Sequence, residues 1–183
     1  MTNKKKLVTE MGRIGSEEFR SSQKMPLVVV LDNVRSLHNV GSVFRTSDAF
    51  RVERIMLCGI TATPPSAEIH KTALGAEDVV EWQYFASTMN AVDALRSEGY
   101  RIFSIELCEE SIPLQDFEAQ PGERYAVVLG NEVKGVLQEV VDASEGAIEI
   151  PQFGTKHSLN VSVTAGMVIW EFAKKLGMVK TEM

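Results

Sequence analysis

Nothing in this sequence offers a covalent or metallic staple. Its 183 residues hold two cysteines and three histidines. Cys58 and Cys108 stand far apart, each in an apolar, strand-like run, and are read as reduced, buried thiols rather than a disulfide pair. His38, His70 and His157 pair neither with each other nor with a cysteine at the spacing a zinc site needs, so no metal is expected. No apolar run approaches the ~20 residues of a membrane span. The opening residues, with Lys4, Lys5 and Lys6 among them, lack the apolar core of a signal peptide. A cytoplasmic protein with no membrane partner is the expectation. The net charge of −6 lacks the basic excess of a chain that coats nucleic acid. Arginines nevertheless gather at Arg35, Arg45, Arg51 and Arg54, while acids crowd the second half, so a local basic face with modest non-specific RNA affinity remains compatible.

What is present is one domain's worth of apolar sequence, 44% of the chain, enough for a core without staples. Residues 26–31 are apolar on both faces and β-branched, the mark of a central strand in a covered, mostly parallel sheet. Further strands are expected over 54–58, 79–85, 100–107, 124–129 and 147–150. Helices are expected over 39–50, 67–74, 88–98, 136–143 and 159–176, with a short one over 17–24. Val40, Val43 and Phe44 share one face of the first long helix, and Arg45 points elsewhere. On the last helix Val161, Ala165, Val168 and Phe172 form a stripe that Ile169 widens, leaving Val163 and Trp170 outside it. Strands alternating with helices define an α/β fold with a mainly parallel six-stranded sheet flanked by helices. Residues 1–25 form an N-terminal extension, 26–177 the domain and 178–183 a tail. The acidic, turn-rich stretch 109–123 is expected to be an exposed excursion.

Three strands are followed by unexpectedly polar turns. The first holds Asn33, Arg35, His38, Asn39, Gly41 and Arg45; the second Asn131, Glu132 and Lys134 between Gly130 and Gly135; the third Lys156, His157, Ser158 and Asn160. Strand C-termini of a parallel sheet converge on one edge, so the three turns can line one crevice. Several readings of them fail. The segment from Gly130 to Gly135 lacks the lysine and hydroxyl residue of a phosphate loop, and no G-x-G-x-x-G follows a strand. Ser158 has no nucleophile-elbow context. What stands is a helix start carrying Asn39 and Arg45, with an arginine able to clamp phosphate and steer an oxygen nucleophile. Gly41 lets backbone approach a ligand closely. Chemistry alone reaches a protein that binds a nucleotide-like ligand at its sheet edge, with an arginine at the reacting group.

Three blocks, taken in order, resemble the SpoU/TrmH branch of the SPOUT RNA methyltransferases. They are the run from Asn33 through Asn39, Gly41 and Arg45 to Thr46, the run from Leu129 through Gly130 and Glu132 to Gly135, and the run from Ile150 through Ser158 and Asn160 to Val163. The resemblance covers roughly residues 26–175. It departs from the family pattern at Gln152 and at Thr164 with Ala165, none of which removes a reacting group. It implies a sheet whose C-terminal segment forms a deep trefoil knot, with S-adenosyl-L-methionine bound at Leu129, Gly130, Ile150, Ser158, Leu159 and Asn160. It also implies a homodimer in which Arg45 completes the partner's site, with exposed apolar positions such as Trp170 in the interface. The implied reaction is methyl transfer to a ribose 2′-oxygen of tRNA or rRNA. Arg45, Asn39, Glu132, Ser158 and Asn160 are the implied catalytic set. Arg45 is then either a base, a partner to an RNA phosphate that relays the proton, or a group that only positions the oxygen. A non-catalytic RNA-binding or cofactor-sensing protein on the same fold is the other reading.

Overall fold

The computed structural model describes residues 3–5, 7, 12, 14–156 and 158–179. Part of the expected extension, His157 and the last four residues of the tail lie outside these. Among the described residues, fourteen elements are assembled around one sheet. In chain order the first half holds α1 (Ser16–Ser21), β1 (Met25–Asp32), α2 (Leu37–Ala49), β2 (Val52–Cys58), α3 (Ala67–Ala73), a 3-10 turn (Ala76–Asp78) and β3 (Trp82–Phe85). The second half holds α4 (Thr88–Ser97), β4 (Tyr100–Ile105), β5 (Ile112–Pro113), β6 (Arg124–Leu129), α5 (Gln138–Ala143), β7 (Gly146–Glu149) and α6 (Val161–Lys175).

The sheet runs β3-β2-β1-β6-β4-β7-β5, and every strand pairing is parallel. The inner strand β1, flanked by β2 and β6, shows why residues 26–31 carry no polar side. Leu27, Val29 and Leu31 pack with α2, α3 and α6, while Val28 and Val30 pack with α4 and α5. Both faces are therefore core, and all five side chains are fully buried. The expected stripes on the helices hold as well. Val40, Val43 and Phe44 of α2 are buried, as are Val161, Ala165, Val168, Ile169 and Phe172 of α6, whereas Val163 and Trp170 stay exposed.

Two strand expectations are corrected. The sheet has seven strands rather than six, because the acidic stretch 109–123 contributes β5. At the sheet's edge the missing N–H of Pro113 breaks no ladder bond. The next amide, from Leu114, donates to the Glu149 carbonyl at 2.8 Å. Leu114 and Phe117 then turn into the core, where the Phe117 ring meets Phe103, Phe172 and Tyr125 at centroid distances of 5.0, 5.1 and 5.8 Å. The third strand begins at Trp82, not Val79. Val80 caps the core beneath the 3-10 turn instead of pairing, and the remainder of β3 is an exposed edge.

Candidate active site

The strands β1, β4, β6 and β7 end on the same edge, and the chain there is bound by its own polar groups. After β6, residues Asn131 and Gly135 exchange two backbone hydrogen bonds of 3.1 and 3.0 Å. The Asn131 side-chain oxygen accepts the amides of Val133 and Lys134 at 2.8 and 2.7 Å. Gly135 closes this turn at φ +66, which a side chain would strain, and Gly130 admits no Cβ because the backbone of Gly135 and Val136 lies against it. Two carboxylates then take consecutive amides. Glu106 Oε2 accepts from Val136 at 3.0 Å, and Asp32 Oδ2 accepts from Leu137 at 2.9 Å. Asp32 is fully buried, and its other oxygen accepts from the Thr88 hydroxyl at 2.5 Å and the Asn33 side-chain amide at 2.8 Å. A buried carboxylate without donors would cost several kcal/mol; here each oxygen is occupied.

This loop walls a cavity of about 510 Å³, within the range of small-molecule sites. Leu129, Gly130, Ile150, Ser158 and Leu159, five of the six positions expected to touch a cofactor, line it, and so does Glu132. Asn160 does not: it is the N-cap of α6, accepting the amides of Ser162 and Val163 at 2.9 and 3.4 Å. Ser158 is thereby free of the capping role a serine at a helix start often takes. The sequence reading missed Glu106, Cys108, Glu149 and Thr164, which share the lining. Glu106 is one of the acids that crowd the second half of the sequence, but its place just past β4 puts it on the same edge as the loops. Cys108 is half-buried on that wall rather than inside a strand. Burial, first, and then Glu106, Asp142 and Glu149 nearby hold its thiol above the usual range.

Asn39 joins the three polar turns. Ser36 caps α2, accepting the Asn39 amide at 3.3 Å, so the Asn39 side chain is left for other work. It donates to Glu132 Oε1 at 2.9 Å and accepts from the Asn160 side chain at 3.2 Å. Glu132 Oε2 also accepts the Arg35 amide at 3.3 Å. Partial burial alone would raise the Glu132 pKa, but the donors around it, its own amide and the Asn39 side chain foremost, outweigh this and hold it below the usual carboxylate value. Gly41, expected to let a ligand approach, serves α3 instead. A Cβ there would strike Thr72 Oγ1 and the Ile69 carbonyl. Arg45 lies about 9 Å further along α2. It is exposed and off the cavity wall, and its side chain has no hydrogen bond or ion pair among the described residues. A single chain thus brings together Asn39, Glu132 and Asn160 beside the Ser158 wall, and leaves Arg45 apart.

The outer side of α6 presents Val163, Met167 and Trp170, spaced by four and three residues and each about half exposed. The Trp170 ring meets Phe50, just past α2, edge-on at 5.8 Å.

Fold and site define an α/β protein with a cavity of small-molecule size at the carboxyl ends of parallel strands. More narrowly, the chain belongs to the SpoU rRNA Methylase family, whose pattern matches residues 26–170. It is 31% identical over 164 residues to a Thermus thermophilus tRNA (guanosine(18)-2′-O)-methyltransferase, covering 89% of this chain and 82% of that protein. It is 30% identical over 146 residues to a Neisseria meningitidis 23S rRNA (guanosine-2′-O-)-methyltransferase, covering 80% of this chain. Several relatives are longer: the chain spans 57% of the Neisseria protein and 61% of a Staphylococcus saprophyticus one. Among solved structures, an AdoMet-bound rRNA methyltransferase from Sinorhizobium meliloti superposes with a TM-score of 0.78 at 26% identity, over 86% of this chain and 60% of that one. The A. aeolicus TrmH/SpoU tRNA modifying enzyme superposes with a TM-score of 0.75 at 26% identity, over 87% and 79%.

Proposed function

We propose that this protein is a cytoplasmic homodimer that transfers a methyl group from S-adenosyl-L-methionine to a ribose 2′-hydroxyl of tRNA or rRNA. The observation that carries this reading is the hydrogen-bonded chain Asn160–Asn39–Glu132 standing beside a cavity lined by Leu129, Gly130, Ile150, Ser158 and Leu159. The cavity suits that cofactor. Leu129, Ile150 and Leu159 give an apolar slot for a heterocycle, the backbone after Gly130 is fixed, and Glu106 and Glu149 set negative charge near a cationic ligand. The deep trefoil knot belongs to the same reading. The return of α6 onto α2 and the likeness to TrmH/SpoU structures support it.

When bound, S-adenosylmethionine supplies an electrophilic methyl carbon on a sulfonium. The residues of this chain must then hold a 2′-oxygen in line with that carbon, while a C–O bond forms, the C–S bond breaks and the hydroxyl proton departs. Asn39 is fixed from both sides and orients the ribose or the incoming arginine. Ser158, on the wall and without a hydrogen-bond partner among the described residues, meets substrate or cofactor. Arg45 comes from the partner subunit. A guanidinium holds its proton too tightly to be a good base, so it positions the oxygen and the neighbouring phosphate, and the proton leaves to that phosphate or to water. The exposed stripe Val163, Met167 and Trp170 then lies in the dimer interface.

The test is incubation of labelled S-adenosylmethionine with unmodified tRNA and rRNA, native protein beside Arg45→Ala. Transfer by the native protein and its loss in the variant is the expected result. Cofactor binding without transfer to any RNA would favour the non-catalytic alternative.

A further inference from the structure

A second cavity of about 420 Å³ backs onto the first. It is lined by Asn33, Arg35, Ile60, Asn131, Val133, Lys134 and Leu137. Asn131, Val133 and Lys134 line both cavities, so the loop after β6 is the partition between them. Its chemistry is mixed in a specific way. Ile60 and Val133 are 65% and 75% exposed and form an apolar shelf. Arg35 and Lys134 carry the charge, and neither has a hydrogen bond or ion pair from its side chain among the described residues. Several cations on the flanks of the molecule are engaged by acids, as in Arg101–Glu145, Arg124–Glu53 and Lys174–Glu171. In a protein of net charge −6, two partnerless cations beside exposed apolar side chains form a local basic and apolar surface.

The frame around them is rigid. Asn33 sits at φ +56, its side-chain amide on Asp32 and its oxygen accepting the Ile60 amide at 3.2 Å. The Arg35 and Lys134 backbones are held by Glu132 and Asn131, so both side chains project from fixed points. Arg35 is one hydrogen bond from the Asn39–Glu132 pair.

We propose that this second cavity is an RNA subsite that receives the nucleotide flanking the one to be methylated. Its base rests on Ile60 and Val133, and its phosphate lies between Arg35 and Lys134. The inference depends on the RNA-methyltransferase reading and adds where the strand runs: cofactor and flanking nucleotide occupy opposite faces of one loop. Phosphate neutralised by two cations contributes a salt-dependent share of affinity, and an apolar shelf is tolerant of base identity, as stacking surfaces are.

The test uses the full-length protein and unmodified transcripts of tRNAs and rRNA fragments. RNA affinity is measured across a salt series, and S-adenosylmethionine affinity by calorimetry. Arg35→Gln with Lys134→Gln should weaken RNA binding about tenfold or more and lower the log–log salt slope by roughly 0.7–0.9 per cation removed. Ile60→Glu should weaken it in the same direction. Cofactor affinity should stay within twofold in the Arg35→Gln single variant and in Ile60→Glu, whose positions do not line the first cavity, which a collapsed partition loop would not allow. A control removing two engaged cations, Arg96→Gln with Lys174→Gln, should leave RNA affinity within twofold. If native protein binds RNA and the Arg35/Lys134 variant binds it equally well, the subsite is wrong and the methyltransferase reading stands. If the control pair weakens binding as much as Arg35 and Lys134 do, only net charge is at work and the subsite is again wrong. If native protein binds none of the transcripts, both fail.

Discussion

At the scale of single residues, the site is built from side chains relieved of the duties their positions imply. Asn39 is not the cap of α2, because Ser36 is, and Ser158 is not the cap of α6, because Asn160 is. Asn160→Ala removes both the cap and the link to Asn39. It should cost about 1 kcal/mol of stability, read by denaturant melts, and should lower methyl transfer more than cofactor affinity. Glu132 gives a pH signature. Its folded pKa lies below the usual carboxylate value, so its contribution is complete above the unfolded carboxylate pKa and is lost as pH falls through the lowered folded value. A Glu132→Gln variant should flatten that acid limb in a stability-against-pH series; an unchanged limb would remove Glu132 from the account. The sequence exposed these residue types and spacings because polar groups are conspicuous after apolar strands. It concealed who caps what, since Ser36 and Asn39, or Ser158 and Asn160, are equally good caps on paper. It likewise misassigned Gly41, whose missing Cβ admits α3 rather than a ligand.

At the scale of elements, the loop from Gly130 to Leu137 is the part on which the site turns. Asp32 and Glu106 hold its last two amides, and neither stood out in the sequence: one ends an apolar strand and the other stands among acids. Asp32→Ala would leave the Leu137 amide and the Thr88 hydroxyl without their buried acceptor, at a cost of about 1–3 kcal/mol for each unsatisfied group. The expected outcome is a lower melting temperature together with weaker S-adenosylmethionine binding. Gly130→Ala should abolish that binding, because the added methyl meets the returning backbone. Cys108 reports on the same element. Its raised pKa makes alkylation slow near neutrality and faster as pH rises, and cofactor should protect it, since it lines the cavity. Alkylation at equal rates with and without cofactor would mean the ligand sits elsewhere. Strand and helix positions were legible because two-sided apolar runs and helical stripes are long-range signals. Strand β5 was not: two residues of edge pairing and the anchors Leu114 and Phe117 carry too little periodicity within an acidic stretch.

At the scale of the whole molecule, the parallel order of the sheet explains how segments about 120 residues apart in sequence come to share hydrogen bonds, as Asn160 and Asn39 do. One chain nevertheless leaves Arg45 outside its own cavity and an apolar stripe on α6 in solvent. A second copy would resolve both. Trp170→Glu should therefore shift the protein to monomer in sedimentation and reduce methyl transfer, even with Arg45 intact; a monomeric variant with full activity would show that each chain works alone. Six strands, their helices and the three converging turns could be expected from the residues themselves, whereas assembly came only as an implication of the family resemblance, because an interface and a lone surface arginine look alike in one dimension. The central claim is chemical: the methyl group goes to a ribose 2′-oxygen. Alkaline hydrolysis of RNA labelled by this protein tests it directly, because strand cleavage uses the 2′-oxygen as nucleophile. The account predicts the label in alkali-resistant dinucleotides. Label released in ordinary mononucleotides, methylated on the base, would contradict it.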